Sequence, residues 1–264
     1  ITVTAQSSGA SVDNINLINA GEMDLGIAMN NVAANAYDGV GAFSSPTTKV
    51  SAIGVIYNEV YQIVANAKTG AKSVEDLKGL KVAVGPAGSG TLNLSQKVLR
   101  AAGLDPDKDI KPQSDSFGDA ATKMQDGHID AACNVLAVPA SSIIEMTTSM
   151  DLAYINISDE ILTKLQAEEP YFTRKVIPAG TYKGQMEDCN TITCKAVLCY
   201  SMLDVSNLLT IDGNTTLLNR TTSLRTCRNK TSFDQHSNQI NSIIFCEILI
   251  CKLCAGHMCC VSSA

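Results

Sequence analysis

Leu80-Lys81-Val82-Ala83-Val84-Gly85-Pro86-Ala87-Gly88-Ser89-Gly90-Thr91 decides how this chain is read: a short apolar strand breaks into a glycine-rich turn and opens a helix. The first N–H groups of a helix have no acceptor within it and sit at the positive end of its dipole, so a carboxylate or phosphate is stabilised there. Glycine lets a ligand approach the backbone, and Ser89 and Thr91 add hydroxyl donors. The loop lacks the Gly-Lys-Ser/Thr ending of a nucleotide-binding P-loop, and its glycines do not follow Gly-x-Gly-x-x-Gly. Gly88, Ser89, Gly90 and Thr91 therefore read as a cradle for a small anion rather than a nucleotide. An ordinary strand-to-helix turn gives the same pattern, and the stretch alone leaves both open.

Outward from this loop, strands and helices alternate. Upstream lie a strand-like Ile1–Ala5, a helix with Val12, Ile15 and Ile18 on one face and Ser11 as its cap, a strand Asp24–Ala28, and a helix Asn31–Tyr37. Two apolar runs follow, Val50–Tyr57 and Val60–Ala65, and Ser73-Val74-Glu75-Asp76 has the form of a capping box. Downstream come helix Thr91–Ala102, a strand near Ile110, helix Phe117–Gln125, strand Ile129–Cys133, helix Pro139–Thr147, strand Leu152–Ile155, helix Asp159–Gln166 and strand Arg174–Ile177. Such alternation implies parallel strands covered by helices. Ala20-Gly21-Glu22-Met23-Asp24-Leu25-Gly26 and Gln125-Asp126-Gly127-His128-Ile129-Asp130-Ala131 each end a helix at a glycine and lead through an Asp into a small-residue strand. The repetition points to two similar lobes.

The 264 residues carry a net charge of −6. No Lys/Arg cluster alternates with aromatics, which argues against a nucleic-acid partner. No uninterrupted apolar run reaches the roughly 18–20 residues needed to span a bilayer. The chain opens at Ile1 inside a strand-like segment, so upstream sequence is expected to be missing. Two compositional regimes meet near residue 200. Cys133 is the only cysteine before Cys189, whereas after Tyr200 the only alanines are Ala255 and Ala264 and the only glycines Gly213 and Gly256. Read alone, the tail looks like translation in a shifted frame, or else a divergent extension. Its Cys251-x2-Cys254 pair has knuckle-like spacing but lacks the flanks of a zinc loop. Its sequons at Asn214, Asn219 and Asn229 are expected from composition. No cofactor or metal is expected.

Taken together, Ser8-Gly9-Ala10-Ser11-Val12-Asp13-Asn14-Ile15, Gly21–Gly26, Tyr57-Asn58-Glu59-Val60-Tyr61-Gln62-Ile63-Val64-Ala65, Ser73–Thr91, Asp126–Ala131 and Ile177-Pro178-Ala179-Gly180-Thr181-Tyr182 resemble the TAXI-type solute-binding proteins of TRAP transporters. The resemblance runs from Ile1 to about residue 200. It departs at both ends, where the family's opening strand and its closing helices are not recognisable. It implies an α/β, two-lobed periplasmic-binding-protein-like (type II) fold with mixed sheets flanked by helices. Lobe one would hold residues 1–80, lobe two 81–180, with 181–201 returning to lobe one and 202–264 the atypical tail. On that layout Val60–Ala65 and Leu80–Val84 belong to different sheets, with Gly79 and Gly180 at the crossovers.

The resemblance further implies a periplasmic receptor that closes on a small carboxylate, amino-acid-like or dicarboxylate, and hands it to TRAP membrane subunits. Ser8, Gly9 and Ser11 would form a second anion-cradling helix start, although plain capping by Ser11 fits as well. Asn30 would touch the solute or cap the next helix. Tyr57 would reach a cleft or sit as a core tyrosine with one wet tip, and Asn134, just past its strand, would line the cleft or stand as a loop amide. The alternatives are an enzyme or a ligand-sensing domain on the same fold. Only Cys133 offers a nucleophile, and His128, five residues away, is expected on the opposite face. Glu168-Glu169 reads as a solvated pair.

Overall fold

The computed structural model describes residues 3–202 and 259–263. In chain order these form β1 (Val3–Ser7), α1 (Ser11–Ala20), β2 (Leu25–Met29), α2 (Asn30–Asp38), β3 (Val50–Asn66), β4 (Lys81–Ala83), α3 (Gly90–Ala101), β5 (Lys111–Gln113) and α4 (Phe117–Gln125). There follow β6 (Ala131–Leu136), α5 (Ser141–Ser149), β7 (Leu152–Tyr154), α6 (Asp159–Glu168), β8 (Thr173–Ile177), β9 (Cys189–Ser201) and β10 (Cys259–Ser263). Helices start and stop where local chemistry dictates. Ser89, Ser116 and Ser158 accept the N–H groups of Leu92, Asp119 and Ile161, while left-handed Gly21 and Gly39 close α1 and α2.

The chain divides into two compact units, one from Ile1–Tyr57 and Lys195–Ala264, the other Asn58–Cys194. The crossovers therefore fall inside β3 and β9, not at residues 80 and 180. Val60–Ala65 pairs with β6, and β6 with β4, so Val60–Ala65 and Leu80–Val84 share a sheet and the expected lobe boundary is corrected. The two apolar runs of the sequence are one 17-residue strand, β3. Asn58-Glu59 does not break it: the Thr193 hydroxyl from β9 donates to Glu59 O at 2.6 Å, and that of Thr191 donates to Tyr61 O.

In the first unit, β2 pairs antiparallel with the end of β9, Leu25 opposite Tyr200 through Met29 opposite Ala196. Buried Ile15 and Ile18 of α1 are core residues here. A Cβ at Gly26 would stand 2.9 Å from Met23 Sδ and 3.1 Å from Ile18 Cδ1, so the bare glycine lets α1 lie close on β2. Strand β10 pairs antiparallel with both β1 and β2. The frameshift reading, the zinc spacing at Cys251 and Cys254, and the sequons fall on residues 203–258, outside the described residues.

In the second unit, β4 lies parallel to β5 and β6, whereas β3 is antiparallel to β6 and β7, and β8 to β9. The sheet is thus mixed and flanked by helices. This is the mixed arrangement that the resemblance implied, and its antiparallel pairs are made by the long strands β3 and β9. Alternation along β3 sorts the two faces. Val60 and Val64 join Ala132 in a core with Ala120, Ala121 and Met124 of α4 and Ile143 and Met146 of α5. Tyr61, on the other face, donates its hydroxyl to Ser95 of α3 at 3.0 Å. The twice-used glycine–Asp pattern appears once in each unit. In the second its logic is visible: the Asp130 carboxylate accepts Lys81 N–H at 2.8 Å, just before β6 begins.

Candidate functional site

The glycine-rich loop lies wholly in the second unit. Gly85 sits at φ +105, and a Cβ there would meet Thr91 Cγ2 at 2.7 Å and Thr91 Cβ at 2.8 Å. Only glycine allows the turn after β4 to pass so close to the start of α3. Gly88 is exposed and left-handed at φ +73, and Ser89, Gly90 and Thr91 are buried. Ser89 caps the helix by accepting Leu92 N–H at 3.0 Å. That leaves the N–H groups of Gly90 and Thr91, which helix geometry gives no acceptor. Thr91 is fully buried, and its Oγ1 has no hydrogen-bond partner among the described residues.

A second helix start opens at the same edge of this sheet. Because β4 and β6 are parallel neighbours, the turn after β6 emerges where the turn after β4 does. It leads into α5, whose N-cap is Ala140 and which has no side-chain cap. Ala140 N–H donates to the Tyr182 hydroxyl at 2.8 Å. Asn134 is inside β6, not past it, and 1% exposed, with its amide donating to Ala132 O at 3.4 Å. The strand starts two residues later than its apolar run because Asp130 is engaged with Lys81.

In the first unit, Ser8, Gly9 and Ser11 surround the start of α1, but Ser11 is not its cap. The N-cap is Ala10, at φ 88 and ψ −152 and without a side-chain cap. The Ser11 hydroxyl instead accepts Met29 N–H from β2 at 3.1 Å. Ser8 Oγ accepts Ala10 N–H and donates to Asn14, which in turn donates to Ile27 O at 2.8 Å. Gly9 N–H goes to the Asp13 carboxylate at 2.8 Å. This start therefore carries its own carboxylate, unlike that of α3. Ala10 holds a conformation nearly confined to glycine, which costs on the order of 1–3 kcal/mol. Asn30 opens α2 without capping it, and its Oδ1 accepts Lys195 N–H from β9 at 3.0 Å. Tyr57 is half-buried, the last residue of this unit on β3.

The catalytic candidates are held apart. His128 is exposed in the turn after α4, whereas Cys133 is buried against Tyr61 and Ser95, and burial pushes its thiol above the ordinary value. Burial likewise raises the Tyr61 phenol well above its own. Glu169 is not a solvated charge: it is 6% exposed and ion-paired with Lys97 of α3. Nothing local signals this, since its partner comes from another helix. Sequence reasoning also missed Gln62 and Tyr182, which lie in the quoted segments as unremarkable core positions. Among the described residues no group of three or more His, Cys, Asp or Glu could hold a metal, and no helix is long and apolar enough to cross a membrane.

A mixed α/β sheet flanked by helices, with helix starts at the ends of its strands, is the class this chain defines. Similar solved structures are solute-binding proteins. The aliphatic sulphonate binding protein SsuA of Escherichia coli is 19% identical at TM-score 0.45, over 76% of this chain and 55% of that one. SsuA of Xanthomonas axonopodis pv. citri, bound to MOPS, is 21% identical at TM-score 0.44, again over 76% and 55%. A TRAP solute-binding protein of a Sulfitobacter species, with bound beta-D-galacturonate, is 16% identical at TM-score 0.41, over 75% and 59%. The chain thus spans little more than half the length of these proteins. It belongs to the NMT1-like family, whose sequence pattern matches residues 1–206.

Proposed function

We propose that this chain is the solute-binding component of a TRAP-type secondary transporter of the TAXI branch, working outside the cytoplasm. It captures a small carboxylate, amino-acid-like or dicarboxylate such as glutamate or 2-oxoglutarate, and presents it to the membrane subunits. One observation carries the reading: Thr91 Oγ1, buried and unpartnered, beside the free N–H groups at the start of α3. A buried hydroxyl without a partner costs about 1–3 kcal/mol, and a site that binds an anion gives that hydroxyl its acceptor. Ser89, already an acceptor for Leu92, keeps its own proton to donate. Gly88 and Gly90 let a carboxylate reach the backbone. Ser8, Gly9, Ser11, Asn30, Tyr57 and Asn134 are kept as candidates. Ser11 and Asn30 act chiefly by holding backbone, and Asp13 makes the start of α1 a poorer anion site than that of α3.

Isothermal titration with L-glutamate, 2-oxoglutarate and the dimethyl ester of 2-oxoglutarate tests this. Saturable heat with an acid and none with the ester is expected; heat with the ester alone, or with none of the three, removes the carboxylate reading. The enzyme alternative rests on Cys133, whose buried, proton-retaining thiol is the opposite of an activated nucleophile. Cys133→Ser is expected to leave the affinity for the acid unchanged. An acid converted to a product at a rate abolished by this substitution would favour the enzyme.

A further inference from the structure

The turn after β6 is held by two buried side chains that, among the described residues, make no hydrogen bonds beyond that turn and each other. Gln62 Nε2 donates to Leu136 O at 3.4 Å and Ala137 O at 3.5 Å. Tyr182 donates its hydroxyl to Gln62 Oε1 and accepts Ala140 N–H at 2.8 Å. Both residues are 3% exposed, and the Tyr182 ring stacks on Tyr154 with centroids 5.7 Å apart and planes 7° from parallel. Leucine and phenylalanine would fill the same space without the cost of burying an amide and a phenol. Among the described residues, the side-chain hydrogen bonds of the pair go instead to each other and to one turn, Leu136–Ala140. Burial also raises the Tyr182 phenol above its ordinary value, so it stays a neutral donor.

That turn ends where α5 begins, at the sheet edge that also carries the start of α3. Ligands of open α/β sheets bind outside the carboxyl ends of the strands, where such turns lie. The first turn of α5 leaves the N–H groups of Ser141, Ser142 and Ile143 without intrahelical acceptors, and no side chain caps it. We infer that Gln62 and Tyr182 are positioning residues, fixing the Leu136–Ala140 turn so that the start of α5 offers a second set of N–H donors to the anion held at Ser89–Thr91. This rests on the carboxylate-binding reading above. A turn free to rock would present those donors in many orientations, and ordering them would weaken binding.

Tyr182→Phe keeps the stacked ring and removes one hydroxyl; Gln62→Met keeps volume and removes both ends of the amide. Tyr154→Phe, which removes the hydroxyl donating to Lys183 O, is the control. Amide hydrogen exchange is read at Ala140, and affinity for L-glutamate and 2-oxoglutarate by calorimetry. Tyr182→Phe should speed exchange at Ala140 and weaken binding of the acid by about ten-fold, with Tyr154→Phe changing neither. Unchanged exchange at Ala140, or faster exchange with unchanged affinity, overturns the positioning role. Should Gln62→Met unfold the chain, Tyr182→Phe decides alone. A wild-type protein that binds neither acid overturns the carboxylate reading and this inference with it. A wild type that binds, with Tyr182→Phe binding equally well, overturns the positioning role only.

Discussion

Thr91→Val separates a binding hydroxyl from a structural one, because the structure predicts opposite signs for stability and affinity. The side chain is fully buried, its methyl lies against Gly85, and Oγ1 has no partner. Valine keeps the shape and β-branching and replaces only the oxygen. Burying an unsatisfied hydroxyl costs about 1–3 kcal/mol, part of which relaxation recovers, so the ligand-free variant should be more stable by about 1 kcal/mol. For a chain of this size that is about 2–4 °C in melting temperature. Affinity for the acid should fall by about 1.5–3 kcal/mol, a hydrogen bond to a charged group, or about ten- to a hundred-fold. The assay pairs thermal unfolding of the ligand-free protein with calorimetric titration of L-glutamate and 2-oxoglutarate. A lower melting temperature in Thr91→Val would mean that the hydroxyl already serves the fold. Unchanged affinity would take Thr91 out of the site.

Four further outcomes follow from the structure. Gly85→Ala forces a Cβ to 2.7 Å from Thr91 Cγ2 at a φ of +105, and should destabilise the protein by more than about 1 kcal/mol in urea unfolding while weakening the acid. Lys97→Met removes the cation paired with buried Glu169 and should destabilise the protein by about 1–3 kcal/mol, less than breaking a fully buried pair because the Lys97 side chain is 20% exposed. Lys108→Ala, which breaks the exposed pair with Asp105, should leave the unfolding midpoint unmoved. Asp76 is held below its ordinary value of 3.8 by the N–H groups of Lys72 and Ser73. Its stabilising contribution is therefore present above about pH 4 and is lost as pH falls through its lower folded value. Asp76→Asn should accordingly lower stability at pH 7, with the deficit shrinking as pH falls below about 4, read by urea unfolding across that range.

Elements whose limits are set by neighbours in sequence were legible. Helix Phe117–Gln125 matches α4 to the residue because Ser116 caps it locally, and Gly21 stops α1 where expected. What failed depended on partners far along the chain. The β3 runs merge because Thr193 and Thr191 bond across to Glu59 and Tyr61, and the unit boundary moves with them. Ser11 looked like a cap, yet its oxygen is taken by Met29, eighteen residues on. The capping box, by contrast, was legible: the carboxylate that accepts Lys72 and Ser73 N–H is Asp76, three residues after Ser73. At the candidate site the strand–glycine–helix order gave the loop, whereas the capping of α3 by Ser89, read from sequence only as a donor, is seen in the structure. The burial of Thr91 Oγ1, and the hold of Gln62 and Tyr182 on the next turn, exist only in three dimensions.

A small carboxylate held on the start of α3 would change the surroundings of the Gly90 and Thr91 amides. Two-dimensional amide NMR of the nitrogen-15-labelled protein during titration with L-glutamate and 2-oxoglutarate tests it most directly. Saturable downfield shifts of the Gly90 and Thr91 amide protons are expected with one of these acids, at the concentration where heat is released, and their loss in Thr91→Val. Saturable binding that leaves the Gly90 and Thr91 resonances in place would contradict it.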